Sequence, residues 1–175
     1  MKKQPRGRPR IHKSRVLTGP ERCKRYRNKL KKAQKVYWRH DSDLWATPQA
    51  EFDKLHAEFG FTIDVCATPE NAKLPRYYTP QQDGLEQDWS GEIVFCNPPY
   101  SVVAKWIAKA YEASKAGATV VCVTYAKVDT RWWDAYVEPY AEYRFPKGRW
   151  KFAESPNNAP SPTAIVISRP PSDVF

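Results

Sequence analysis

The chain has 175 residues, 41% of them hydrophobic and 27% charged, with 29 Lys/Arg against 19 Asp/Glu and a formal net charge of +10. That length holds one domain of ordinary size plus a tail rather than two domains, and no apolar run approaches the ~20 residues of a membrane helix or forms the apolar segment of a secretory signal. Cys23, Cys66, Cys96 and Cys122 form no C-x-x-C spacing, which argues against a zinc site and, with the rest, for a soluble, reduced cytoplasmic protein with no metal and no membrane partner.

The charge is uneven. Residues 1–40 carry 16 Lys/Arg and one acid, Glu21, whereas residues 41–175 carry 13 Lys/Arg against 18 acids. The division expected from this is a basic nucleic-acid-binding leader over 1–40 and a mildly acidic globular body over 41–175. An anionic membrane surface ranks lower as the leader's partner, because the leader has almost no apolar face and no lipidation signal. Residues 1–17 are too basic and too poor in apolar residues to pack alone. Within them Arg6-Gly7-Arg8-Pro9-Arg10 resembles the core of an AT-hook, a narrow segment that fits the minor groove of A·T tracts, with a solvated basic tail as the alternative. Thr18-Gly19-Pro20-Glu21 then starts a basic helix reaching about Trp38. The expected DNA contacts are Arg6, Arg8, Arg10, Arg22, Arg25, Lys29 and Lys32, the helical ones ordering on DNA or against the body.

In the body, Thr47 is expected to cap a helix with Pro48 at its first position, Phe52, Leu55 and Phe59 on one face and Gly60 at its end. Phe61–Val65 reads as a strand carrying Asp64 at its C-terminal end, followed by a long irregular loop, Cys66–Gln82. Such strand ends are where open α/β sheets place ligand contacts. Asp83-Gly84-Leu85 and Asp88-Trp89-Ser90-Gly91 have turn chemistry. Ile93-Val94-Phe95-Cys96 is a buried strand that Pro98 and Pro99 must stop, since neither donates a backbone N–H. The stiff loop after it presents Asn97, the Pro98 carbonyl and Tyr100 together, a set suited to a planar substrate bearing an amino group.

Ser101 is expected to cap a helix to about Lys115 with Val102, Val103, Trp106, Ile107 and Ala110 inward, closed by Gly117. Ala118–Thr124 is apolar throughout, as in a sheet covered on both faces, and strand, helix, strand in this order implies a parallel right-handed crossover. Asp129–Val137 reads as a short helix, Tyr143–Phe145 as a strand, Gly148–Phe152 as a turn and strand, and Thr163–Ser168 as a last strand, the later ones forming an antiparallel edge. The fold class is therefore α/β with a mostly parallel sheet.

His12, His40 and His56 lie away from the strand ends, no Ser-His-acid set is evident, and no Gly-rich loop carries a Walker lysine. Group transfer driven by positioning remains. Asn97-Pro98-Pro99-Tyr100 resembles the catalytic motif of amino-methyltransferases that use S-adenosylmethionine. Trp45-Ala46-Thr47-Pro48, Asp64-Val65-Cys66-Ala67-Thr68-Pro69-Glu70-Asn71-Ala72, Asp83-Gly84-Leu85 with Trp89, Asp129-Thr130-Arg131-Trp132-Trp133, Gly148-Arg149-Trp150-Lys151-Phe152 and Ala159-Pro160-Ser161-Pro162 narrow the likeness to the phage-type, Dam-like DNA N6-adenine methyltransferase family, in order over about residues 42–168.

The resemblance implies a Rossmann-like S-adenosylmethionine-dependent methyltransferase acting on double-stranded DNA. Asn97, Pro98, Pro99 and Tyr100 would hold the target base. Asp64 and Ala67 would lie at the cofactor's methionine end under Trp45, Thr47 and Pro48, with Asp83 and Leu85 near its adenine, and Arg131 would join the DNA contacts. The Gly-rich turn common after the first strand of methyltransferases is replaced by Cys66-Ala67-Thr68-Pro69. The alternatives are an RNA or other planar-amine acceptor on the same fold, or an inactive DNA-binding relative. Target recognition falls to the leader or to loops around residues 126–162, or is relaxed.

Overall fold

The computed structural model describes residues 46–151, 159 and 161–171. The expectations for the leader, for Trp45 and for Phe152 lie outside the described residues. Helix α1 (Gln49–Phe59) precedes strand β1 (Ile63–Asp64); β2 (Ile93–Cys96), α2 (Val103–Lys115) and β3 (Thr119–Tyr125) follow, and then β4 (Glu142–Arg144) and β5 (Thr163–Ser168). The strands form one sheet in the order β1-β2-β3-β5-β4. β1, β2 and β3 are parallel, while β5 is antiparallel to both β3 and β4, so β5 alone runs against the other four. The expected mostly parallel sheet with an antiparallel C-terminal edge is what forms.

Alternation along β3 divides the core. Val120 and Cys122 join Val94, Cys96, Ala164 and Val166 beneath Trp106, Ile107 and Ala110 of α2. Val121, Val123 and Tyr125 join Phe95, Ile165 and Ile167 beneath Phe52 and Leu55 of α1. Both faces of the central strands are thus dry, which is why β3 is an unbroken apolar run rather than an alternating one. The stripe on α1 repeats at helical spacing, and Gly60 ends it in the left-handed region (φ 68°) with its N–H on the His56 carbonyl at 2.8 Å.

Several local expectations change. Thr47 does not cap α1: Pro48 is the half-in residue, extended at φ −54°, ψ 136°, and its carbonyl receives the N–H groups of Glu51 and Phe52 at 3.1 and 3.0 Å. Thr47 stands one position too early and turns inward. Ser101 does not cap α2 either, because the Pro99 carbonyl accepts the Val102 N–H at 3.1 Å and draws Tyr100–Val102 into a 3-10 turn ahead of the helix. The first strand pairs only at Ile63–Asp64, and the following loop is less irregular than expected, since Tyr77 returns beside Asp64 in a parallel bridge. Residues 147–148 bend, but no strand follows through Lys151. Among the described residues no helix is long and apolar enough to cross a membrane.

Candidate active site

Three parallel strands deliver their C-terminal ends to one edge of the sheet. β2 ends at Cys96, paired with Cys122 of β3, and the chain leaves it as Asn97-Pro98-Pro99. Pro98 and Pro99 are buried and Asn97 is half-buried. The fixed φ of two successive prolines leaves this segment few alternatives, and the 3-10 turn that starts on Pro99 swings Tyr100 back over the sheet. Its ring lies on that of Tyr125, the last residue of β3, with centroids 4.0 Å apart and planes 18° from parallel. Burial, and the neighbouring Tyr125, push the Tyr100 phenol well above its usual value of 10, so it is neutral at physiological pH.

The end of β1 is built differently. Asp64 is 2% exposed. Its Oδ1 accepts the Cys66 N–H and its Oδ2 the Lys73 N–H, both at 3.2 Å. Its own N–H goes to the Arg76 carbonyl at 3.0 Å and its carbonyl accepts the Tyr78 N–H at 2.9 Å, so segment 76–78 closes over it. Burial raises the carboxyl to about 6, opposed by those two amide hydrogen bonds and by the Lys73 charge. Desolvation in turn lowers the Lys73 ammonium, with Asp64 and Asp53 opposing, and Lys73 reaches Gln49 of α1 at 3.0 Å.

Asp83 sits in the left-handed region (φ 52°), where its Oδ1 can take the Leu85 N–H at 3.2 Å. The next residue must be glycine, because a Cβ on Gly84 would collide with the Val65 carbonyl oxygen. The Trp89 indole N–H holds the Gly84 carbonyl at 2.9 Å. That close approach brings Asp83 and Leu85 to the chain leaving β1.

Asp64 pairs with Phe95, two residues before Asn97, so the two loops lie on adjacent strands of the same edge. Ala67 is buried and its N–H is taken by the Tyr78 carbonyl at 3.1 Å, so what it can offer a ligand is its carbonyl. Thr47 is 1% exposed and its hydroxyl has no hydrogen-bond partner among the described residues, although Pro48 beside it lies at the surface of α1. Arg131 is exposed on the helical turn before a π-helical segment, Trp133–Val137; Trp133 is core and Trp132 is partly buried against it. Tyr125 and Lys73 were not singled out by their sequence positions. The signal for Tyr125 is only that an aromatic ends an apolar strand, and for Lys73 there is none.

Residues 32–170 match a family model described as DNA N-6-adenine-methyltransferase (Dam). The chain belongs to this family. Over 100 residues it is 36% identical to the DNA N-6-adenine-methyltransferase of Haemophilus phage HP1 (strain HP1c1), a stretch covering 55% of this chain and 58% of the relative. Over 92 residues it is 28% identical to the DNA N-6-adenine-methyltransferase of Escherichia phage T1, covering 51% and 39%. The chain thus spans about half the length of the curated relatives it matches. The Dam likeness carried by the quoted motifs is borne out.

Proposed function

We propose that the protein transfers the methyl group of S-adenosylmethionine to N6 of an adenine flipped out of double-stranded DNA. The observation that carries this reading is the convergence, on one edge of three parallel strands, of Asp64 and of the Asn97-Pro98-Pro99-Tyr100 loop in a chain of the Dam family. The strand order, the helices on both faces and the single reversed strand support a Rossmann-like methyltransferase fold.

The residues at β1 suit such a cofactor. The Asp64 carboxylate keeps lone pairs beyond its two amide contacts, which fits a cationic amino-acid end. The buried Thr47 hydroxyl, with no partner among the described residues, fits a polar ligand atom. Thr47, Pro48, Asp64, Ala67, Asp83 and Leu85 are the holding set, with Trp45 from the outer side. When bound, S-adenosylmethionine supplies a methyl group on a sulfonium that departs as a neutral thioether.

The adenine amino group is a weak nucleophile because its lone pair is delocalised into the ring. Acceptance of its two N–H groups by the Asn97 side-chain oxygen and the Pro98 carbonyl localises that pair on nitrogen and stabilises positive charge as the bond forms. No strong base is needed beforehand, and the methylated amine then gives its surplus proton to solvent. Flipping costs a few kcal/mol of unstacking, and the Tyr100 ring offsets part of it by stacking on the base. The neutral phenol adds no charge beside the developing cation. Residues 1–40 act as the DNA-binding leader through Arg6, Arg8, Arg10, Arg22, Arg25, Lys29 and Lys32, with Arg131 contributing from the body of residues 41–175, in a cytoplasmic setting.

The test is product identification. Purified protein is incubated with labelled S-adenosylmethionine and DNA, RNA or protein, followed by digestion and chromatography. N6-methyladenine from duplex DNA is the expected product; label confined to RNA or protein overturns the DNA reading.

A further inference from the structure

A second concave surface lies on the α1 side of the sheet. The start of α1 (Pro48, Glu51, Lys54) and the chain after β4 (Pro146, Lys147, Arg149, Trp150, Lys151) enclose a groove of about 560 Å3. Four cationic side chains line it against the single carboxylate of Glu51, which Lys54 already engages at 2.9 Å. Arg149 is anchored through its guanidinium to the Ala159 carbonyl at 3.3 Å. Lys147 and Lys151 are exposed, and neither has an ion-pair partner among the described residues.

Two features set this groove apart from a scatter of surface lysines. The first is that the excess positive charge is gathered in a body where acids outnumber bases, 18 to 13. Like charges brought together in a concave wall raise the local potential and attract a polyanion more strongly than the net charge suggests. The second is position. Trp150, 7% exposed in the groove wall, belongs to the same buried cluster as Tyr125, and the Tyr100 ring packs on that cluster. The groove wall and the acceptor loop thus pack on one apolar cluster.

We propose that this groove holds the phosphodiester backbone flanking the flipped adenine, with Lys147 and Lys151 neutralising phosphates and Lys54 and Arg149 lining the wall. The proposal rests on the DNA reading above. It divides the work of binding: the leader holds the protein on DNA, while the groove fixes the strand that feeds the site.

The test uses the full chain. Lys147→Glu combined with Lys151→Glu is compared with wild type and with Lys115→Glu, an exposed lysine at the end of α2 on the opposite face of the sheet. Binding of a fluorescein-labelled duplex is followed by anisotropy from low to high salt, alongside methyl-transfer kinetics. The expected result is a rise of about tenfold in KM for DNA, and a salt slope of log K shallower by about two, one per lost phosphate contact. KM for the cofactor stays at the wild-type value. The milder pair Lys147→Gln with Lys151→Gln gives the same change in slope with a smaller loss of affinity. DNA affinity and salt slope equal to those of Lys115→Glu, in a double variant that still methylates DNA, overturn the groove and leave the reaction standing. Wild-type protein whose duplex binding depends on the groove, but which transfers no methyl to DNA, overturns the reaction and supports the groove.

Discussion

The loops after β1 and β2 occupy equivalent positions on neighbouring parallel strands, yet they are held rigid by different physics. After β2, two proline rings fix φ covalently and a hydrogen-bonded 3-10 turn follows, and nothing in Asn97-Pro98-Pro99 titrates. After β1, one buried carboxylate gathers the N–H groups of Cys66 and Lys73, and a returning segment closes over it. The loop after β2, the proposed acceptor half, is therefore indifferent to pH, whereas the loop after β1, the proposed cofactor half, is held by a group that protonates at about 6. In the proposed reaction that is a division between transfer itself and cofactor capture.

Removing the acceptor is the sharpest way to break the comparison. Asn97→Ala deletes one of the two oxygens proposed to receive the amino group, and kcat for methyl transfer is expected to fall about 100- to 1,000-fold, as for loss of one preorganised polar contact to a developing charge. Cofactor affinity, measured by calorimetry, should stay within about twofold because Asp64 lies on the other strand end. A variant that turns over at the wild-type rate places the chemistry elsewhere.

The cofactor half should betray itself through pH. Asp64 titrates at about 6 in the folded protein against an ordinary value of 3.8. Burial favours its protonated form, so its contribution to stability is present in full below about 3.8 and is lost as pH rises through about 6, a swing of about 3 kcal/mol. Denaturant titrations should show wild type gaining on Asp64→Asn as pH falls through that window, and running parallel above it. The same ionisation is what an ammonium group requires, so KM for the cofactor should fall as pH rises through 6 while kcat at saturation stays level. A cofactor KM that is flat across pH 5 to 7 removes Asp64 from cofactor binding.

What could be read beforehand follows the same division. The proline-stopped strand at Asn97, the Gly60 terminator and the bounds of Thr163–Ser168 are written in local chemistry, and the structure has them where they were expected. The two helix caps were misplaced because the starts shift by a residue: Pro48 rather than Thr47 is half-in at α1, and a 3-10 turn closed on the Pro99 carbonyl carries the start of α2 past Ser101. Nothing local announces that residues 76–78 return to seal Asp64, or that Tyr125 lies under Tyr100, since both are contacts between distant parts of the chain. The basic groove escaped for that reason too: Lys54 and Lys151 meet only through the fold.

Gly84 tests how the cofactor half is braced from outside. Its missing Cβ lets the Asp83–Leu85 turn sit against the Val65 carbonyl, with Trp106 carbons 3.1 and 3.3 Å from where that Cβ would be. Gly84→Ala forces backbone to move and should cost about 1–3 kcal/mol in denaturant unfolding. The displaced turn should also weaken cofactor binding more than kcat. A loss confined to kcat would mean that the turn serves the acceptor loop instead.

The smallest expected effect concerns an aromatic contact that ties the proposed acceptor loop to β3. Tyr100 can present a flat face to an extruded base only if something keeps its ring from turning, and Tyr125 lies parallel to it at 4.0 Å. Tyr125→Leu keeps an apolar side chain at the strand end but removes the stack, worth about 0.5–1.5 kcal/mol for an aromatic pair, so kcat should fall by about three- to tenfold. Tyr125→Phe keeps the ring and should recover most of that loss. Rescue by Phe, together with an unchanged KM for the cofactor, separates ring positioning from general destabilisation, which would lower both variants' melting temperatures without restoring the rate. Equal deficits in the Leu and Phe variants would assign the effect to the phenol rather than to the stack.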